Sequence, residues 1–237
     1  MNRAAETIFR HLRSVAIERE RRHASPRLAR DVEAVKRFQH ARFERTYADI
    51  LALPRYSDAA RFFLDDLYGP HDFGERDAQF ERVVPGMVRL FSRAIVATVA
   101  ELAELHALSE SLDTLMASHV ERTPLDGPSY VRAWQATGAN EQRQRQVALL
   151  VNIGRALDRY TRNPLLRRSL TLLRRPARLA GIGALQQFLE RGFDTFAAMR
   201  GADEFLSLIA QREAAFAQRM FAVEPASLAN TDPGELL

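Results

Sequence analysis

Apolar residues recur every three or four positions along almost the whole chain, which is the spacing of the buried face of an α-helix. The clearest helix start is Ser25-Pro26, where serine suits the cap and proline suits the first helical position, and this helix is expected to run to about Leu53. No segment alternates apolar and polar residues as a strand does. The pattern predicts an all-α protein, a single helical bundle of about nine to ten helices with no significant sheet.

Proline and glycine interrupt this pattern where the predicted helices end. The clearest loop covers residues 123–128, and we interpret it as a connection inside one bundle. We predict a single helical domain over residues 1–222. Residues 223–237 are rich in proline, serine, asparagine, aspartate and glycine, which predicts a mobile C-terminal tail. Pro85 is expected to kink or break its helix.

The composition narrows the class of protein. The chain has 237 residues, of which 46% are hydrophobic and 27% charged, as in ordinary soluble domains. It has no cysteine, which excludes disulfides, thiolate zinc sites and a cysteine nucleophile. We find no secretory signal peptide and no apolar run long enough for a transmembrane segment, so we predict a cytoplasmic protein.

Two segments of the chain carry a recognisable pattern. The first runs from Arg61 to Pro70, with shorter matching stretches at 72–73, 76–77 and 82–85, and the second is GALQQFLERG at 183–192. Together they resemble a family of bacterial proteins called FFLEELY-motif proteins, with aspartate in place of both glutamates. The motif residues are Phe62, Phe63, Asp65, Asp66 and Tyr68.

The resemblance spans roughly residues 45–215 and implies a bacterial, intracellular, helical protein. It brings no catalytic residues with it. We expect the aromatic residues of the motif to belong to the core, and we expect Asp66 to meet an arginine of the helix that follows.

Several predicted helices carry polar side chains on their apolar faces. On a wheel of the helix predicted over 93–120, His106, Ser109 and Asp113 lie at the centre of the apolar stripe. Such groups need partners, because unpaired burial of a polar group is costly. We therefore predict one buried polar cluster, which consists of Arg76, His106, Ser109, Glu110, Asp113 and Asp158.

Three interpretations of this cluster stay open. Arg76 pairs with Asp113 or Asp158 in a structural network that His106 bridges. Alternatively, His106, Glu110 and Asp113 hold a metal or haem, since their spacing places them on one helix face. The third possibility is an organic ligand pocket. The chain lacks the inward Glu-x-x-His pairs of di-iron bundles, nucleotide-binding motifs and a nucleophile elbow, so we assign no metal ligand, cofactor or catalytic residue.

A strongly basic segment follows later in the chain. Residues 159–189 contain seven arginines and no acidic residue, within a chain of formal net charge +4. On a wheel, Leu166, Leu170 and Leu173 face the bundle and arginines cluster on the opposite side. The predicted surface for an anionic partner consists of Arg167, Arg168, Arg174, Arg175 and Arg178. The simpler alternative is a bundle helix with a solvated, arginine-rich face.

These patterns favour a non-enzymatic binding or adaptor protein that contacts an anionic membrane surface, nucleic acid or an acidic protein through the basic helix. Aromatic interleaving, typical of proteins that stack on single-stranded bases, is missing. The alternative is an enzyme or sensor that binds a metal, haem or small ligand around His106. A third hypothesis is a homodimer that buries leftover apolar surface.

Overall fold

The computed structural model describes residues 3–67, 69, 73–121 and 123–225. Within these ranges the chain forms eleven α-helices and one π-helical segment, and no strand. The elements are α1 (Arg3–Ala24), α2 (Pro26–Thr46), α3 (Ala48–Leu51), α4 (Ser57–Arg61), the π-helical segment (Phe62–Leu67), α5 (Gly74–Leu90), α6 (Arg93–Ala117), α7 (Gly127–Thr137), α8 (Asn140–Thr161), α9 (Pro164–Leu179), α10 (Gly183–Met199) and α11 (Asp203–Ala222). The predicted all-α fold is confirmed.

Side chains at the starts of α2, α6, α7 and α9 explain where these four helices begin. The Ser25 hydroxyl accepts a hydrogen bond from the Leu28 backbone N–H at the start of α2. Asn163 does the same for Leu165 at the start of α9. These local contacts satisfy donors that have no partner inside the helix, so they fix helix ends independently of the rest of the fold.

Two boundaries differ from the prediction. The helix expected from Pro26 to about residue 53 ends at Thr46, and the short α3 follows. Helix α5 continues through Pro85, so the break that was one of the two expected outcomes does not occur, and the kink stays a prediction. Proline removes the hydrogen bond to the carbonyl of Glu81, but both residues are exposed, so solvent can satisfy that carbonyl.

Helices α6 and α8 form the centre of the bundle. Helix α6 packs against α1, α2 and α8, while α8 packs against α10 and α11 on its other side. Around them lie apolar clusters, of which one surrounds Tyr130 and Trp134 and another surrounds Phe196 and Phe205. Helix α9 lies outside this centre and contacts α10 and the end of α8.

The division of the chain into one domain over 1–222 and a tail over 223–237 stays a prediction. All the helices lie between Arg3 and Ala222. Of the predicted tail, residues 226–237 lie outside the described residues, as do Tyr68 and Pro70 of the motif segment.

Candidate functional site

Two of the six residues of the predicted polar cluster, Arg76 and His106, meet at Asp77. His106 Nε2 lies 2.7 Å from Asp77 Oδ2, and Arg76 Nε lies 3.6 Å from Oδ1. Arg19 of α1 donates to the same carboxylate at 2.5 Å. Burial favours the neutral form of Asp77, but the hydrogen bond to His106 and the charges of Arg76 and Arg19 outweigh it and lower the pKa of Asp77.

This arrangement corrects the partners that we expected for Arg76. It pairs with neither Asp113 nor Asp158, because its guanidinium is occupied by Asp77 and by the backbone carbonyl of Asp66, to which it donates at 2.6 Å. Sequence reasoning missed Asp77. A signal was present, since Asp77 lies seven residues before the fully buried Val84 and so shares its helix face.

Glu110 forms a second centre between α1, α2 and α6. Its two carboxylate oxygens accept hydrogen bonds from Arg22 and from Lys36, each at 2.5 Å. Lys36 is the only lysine in the chain. Burial by itself would raise the pKa of Glu110, but the charges of Lys36 and Arg22 prevail and lower it to about 2.

Asp113 lies one helical turn further along α6 and is 3% exposed. Its Oδ1 atom has no hydrogen-bond partner among the described residues. Burial raises the pKa of Asp113, although the charge of Lys36 opposes this effect. Ser109 lies nearby, where its hydroxyl donates to the Leu105 carbonyl and accepts from Gln146 Nε2, both at 2.8 Å.

Asp158 belongs to neither centre. It pairs at 2.6 Å with Arg162, the residue that follows the last residue of α8. The structure thus distributes the six residues over several places along the bundle. His106 and Glu110 each have a partner of their own, and the part of the chain described contains no group of three or more histidine, aspartate or glutamate side chains placed to hold a metal ion.

The aromatic motif coincides with the π-helical segment. Phe62 is 2% exposed and stacks on Phe188 with ring centroids 5.4 Å apart, and Phe63 packs against Phe196 and Phe205. The first motif segment therefore contacts the second one, residues 183–192, directly.

The two motif aspartates face polar partners. Asp65 Oδ1 lies 3.5 Å from His40 Nε2, and Asp66 accepts a hydrogen bond from Arg191 of α10 at 2.9 Å. The expected contact between Asp66 and the following helix exists, but it runs from Arg76 to the backbone carbonyl of Asp66. Tyr68 lies outside the described residues.

All five arginines of the predicted anionic-partner surface are exposed on α9. Arg167 pairs with Asp194 at 3.2 Å, and Arg174 pairs with Glu190 at 2.7 Å, so two of them are partly neutralised by α10. The other three, Arg168, Arg175 and Arg178, form no ion pair within the described ranges.

A row of exposed leucines on α9 was missed by the sequence reasoning. Leu165, Leu172 and Leu179 are 67%, 77% and 82% exposed. They lie seven residues apart, which places them on one helix face, and that spacing was the available signal. Of the leucines expected to face the bundle, Leu166 and Leu170 are half-buried, whereas Leu173 is 44% exposed.

Together these features define an all-α bundle with buried ion pairs at its centre and a basic, leucine-bearing helix at its surface. No helix within the described ranges combines the length and the apolar character needed to cross a membrane. The chain belongs to the family described as Domain of unknown function (DUF8198), which it matches over residues 18–227. Neither the search of curated proteins nor the search of solved structures finds a match.

Proposed function

We propose that this protein is a non-enzymatic binding protein that docks on an anionic lipid surface through α9. The observation that carries the proposal is the shared outer face of this helix. Three exposed leucines and three arginines that have no ion pair among the described residues lie on a helix whose buried residue, Ala177, is turned toward the bundle. We call the six residues the α9 face, and they are Leu165, Leu172, Leu179, Arg168, Arg175 and Arg178.

The charge around the α9 face favours a negatively charged partner. Between residues 159 and 189 there is no acidic residue. Arg82 of α5 adds another exposed cation at the end of α9, where it donates to the carbonyl of Gly181 at 2.7 Å. Each arginine near an anionic bilayer contributes about 1 kcal/mol to binding. Three to five of them supply a useful but salt-sensitive attraction.

The exposed leucines favour lipid over nucleic acid. Leucines that lie beside arginines on an interfacial helix enter the boundary between headgroups and acyl chains, whereas phosphate contacts to nucleic acid make no use of them. Pairing of two α9 faces in a homodimer is disfavoured, because it would bring the arginines of both copies together.

The cellular setting of this membrane follows only from the resemblance to FFLEELY-motif proteins. We infer an intracellular bacterial protein, for which the surface would be the anionic cytoplasmic leaflet. The alternative, an enzyme or sensor built around His106, has less support, because the side chains of His106 and Glu110 already hold protein partners.

Vesicle co-sedimentation tests the proposal. Wild-type protein should bind vesicles that contain phosphatidylglycerol and should not bind pure phosphatidylcholine, and high salt should weaken the binding. The triple variant Arg168→Gln, Arg175→Gln, Arg178→Gln should no longer bind these vesicles. The triple variant Leu165→Ser, Leu172→Ser, Leu179→Ser should weaken the binding about ten-fold, because the apolar contribution disappears.

Matched controls exist elsewhere on the surface. Arg13, Arg30 and Arg89 are exposed arginines, and Leu53, Leu90 and Leu115 are exposed leucines. Their replacement by glutamine and serine, respectively, should leave binding unchanged. If instead the protein binds an oligonucleotide tightly and the leucine variant behaves as wild type, the partner is nucleic acid and the lipid proposal is wrong.

A further inference from the structure

A cleft of about 380 Å³ lies between α8 and α11, within the size range of sites for small organic molecules. Its mouth includes exposed residues of both helices, such as Arg155 and Ala214. Its floor is made by buried residues of α2, α7 and α8, which are Gln39, Arg42, Tyr130, Trp134, Arg143 and Gln146. The cleft connects the surface to the interior and shares no residue with the α9 face.

The floor carries one buried cation, Arg143, whose charge acts on the buried Asp113 without a direct ion pair. Arg143 is 6% exposed, donates to Gln146 Oε1 at 3.3 Å and lies 4.3 Å from the centroid of the Trp134 ring. It forms no ion pair with any residue that the structure describes. Arg42, by contrast, has a two-point pair with Glu213 at 2.6 and 3.0 Å. A buried charge without a partner is costly, so Arg143 is available to an anion.

Three hydrogen-bond donors on the same floor also lack an acceptor. They are Arg42 Nε, Tyr130 Oη and Trp134 Nε1, none of which has a partner among the described residues. Burial raises the pKa of Tyr130 to about 12, so its hydroxyl keeps its proton and can donate. A group that satisfies this floor must therefore present acceptor atoms.

Beside the cleft lies a smaller, apolar recess of about 80 Å³. The two spaces share Phe43, Gln146, Val147 and Glu213 as walls. The remaining walls of the recess are mainly apolar and include Phe63, Leu150, Phe205 and Ile209. A molecule that reaches from the cleft into this recess needs an apolar body.

We propose that the cleft binds a small organic monocarboxylate with an apolar body. The carboxylate pairs with Arg143, while the apolar part extends toward the recess. The Tyr130 hydroxyl and the Trp134 indole N–H are closed to solvent in this structure, so they donate to the carboxylate after a small rearrangement of the floor. One unpaired cation calls for one negative charge, which favours a carboxylate over a phosphate ester. This site is independent of the α9 face, so either proposal can fail without the other.

The chain offers a direct probe, because Trp134 is its only tryptophan. Titration with hexanoate or phenylacetate should change Trp134 fluorescence in a saturable way and raise the melting temperature. The neutral amides of the same acids should bind about ten-fold more weakly or worse, since they cannot pair with Arg143.

Two variants locate the binding. Arg143→Gln should reduce hexanoate affinity about ten-fold or more. Tyr130→Phe removes a hydroxyl that has no partner among the described residues, so it should leave the melting temperature unchanged and weaken hexanoate binding about three- to ten-fold. If Arg143→Gln folds poorly, the Tyr130→Phe variant still tests whether hexanoate binds at this site. Arg145→Gln is the matched control, because Arg145 lies two residues along α8, is exposed and pairs with Glu104.

Several results would overturn the proposal. One is the absence of any saturable signal with either acid, which would mean that only water occupies the cleft. Equal affinities for an acid and its amide would exclude the role of Arg143. Inorganic phosphate that binds as tightly as hexanoate would exclude the role of the apolar recess.

Discussion

The carboxylate of Glu110 shows how this bundle tolerates charge in its interior. Glu110 is 5% exposed, and both its oxygens are occupied by cations from two different helices. One cation is Lys36, the single lysine in a chain that otherwise uses arginine. The compact ammonium group of Lys36 fits beside the guanidinium of Arg22, whereas a second, larger guanidinium would need more room. The three residues form a unit in which each depends on the other two.

Replacement of Glu110 by glutamine should destabilise the fold by about 3 kcal/mol at pH 7, because it leaves two half-buried cations without their counter-charge. The pKa of Glu110 is lowered from 4.5 to about 2 in the folded protein. Its stabilising effect is therefore complete above pH 4.5 and is lost as the pH falls toward 2. Urea unfolding of both proteins across this range measures the difference.

Glu33 provides the control for this measurement, since it is exposed and pairs with the exposed Arg37 on its own helix. Glu33→Gln should change stability by less than about 0.5 kcal/mol. A Glu110→Gln variant that is as stable as wild type at pH 7, or a difference that does not shrink below pH 4.5, would contradict the buried ion-pair account.

At the scale of elements, the contact between the π-helical segment and α10 joins the two sequence segments that carry the family resemblance. Phe62 lies against Gly192 so closely that a methyl group at position 192 would be 2.9 Å from Phe62 Cζ. Arg191 of α10 also pairs with Asp66. A side chain at position 192 would therefore push the motif phenylalanine out of the core.

Gly192→Ala should destabilise the protein by roughly 1 kcal/mol or more, because overpacking against a buried ring outweighs the gain in helix propensity. Gly86→Ala is the matched control. Gly86 is also inside a helix, but nothing lies within 4 Å of the added methyl group. That variant should be stabilised by about 0.5–1 kcal/mol. Thermal unfolding of both variants measures the effects, and stabilisation of Gly192→Ala would show that Phe62 is not held in place.

At the scale of the whole molecule, the helices could largely be predicted from sequence because their signals are local. Ser25 caps the helix that it was expected to start, and Ser92 and Asn163 cap α6 and α9 in the same way, each through a backbone N–H two or three residues away. The π-helical segment could not be predicted, because nothing in its local pattern distinguishes it from a short α-helix.

The partners of the polar residues were much less predictable. A helical wheel tells which face a residue occupies but not which helix lies opposite, so it placed His106 of α6 inward without indicating that its partner is Asp77 of α5. The same limit applies to α9. The apolar stripe of α9 could be found from the sequence. The exposure of Leu172 could not, because it depends on how few helices pack around α9 in the folded bundle.

The most direct test of the central claim asks whether the α9 face enters a lipid surface. The chain has no cysteine, so Leu172→Cys introduces a unique site for an environment-sensitive fluorophore. We expect its emission to shift to the blue with vesicles that contain phosphatidylglycerol, and we expect no shift with pure phosphatidylcholine. The same label at Leu115, which is exposed on α6, should not respond. An unchanged emission at position 172, or an equal shift at position 115, would contradict the proposed membrane contact.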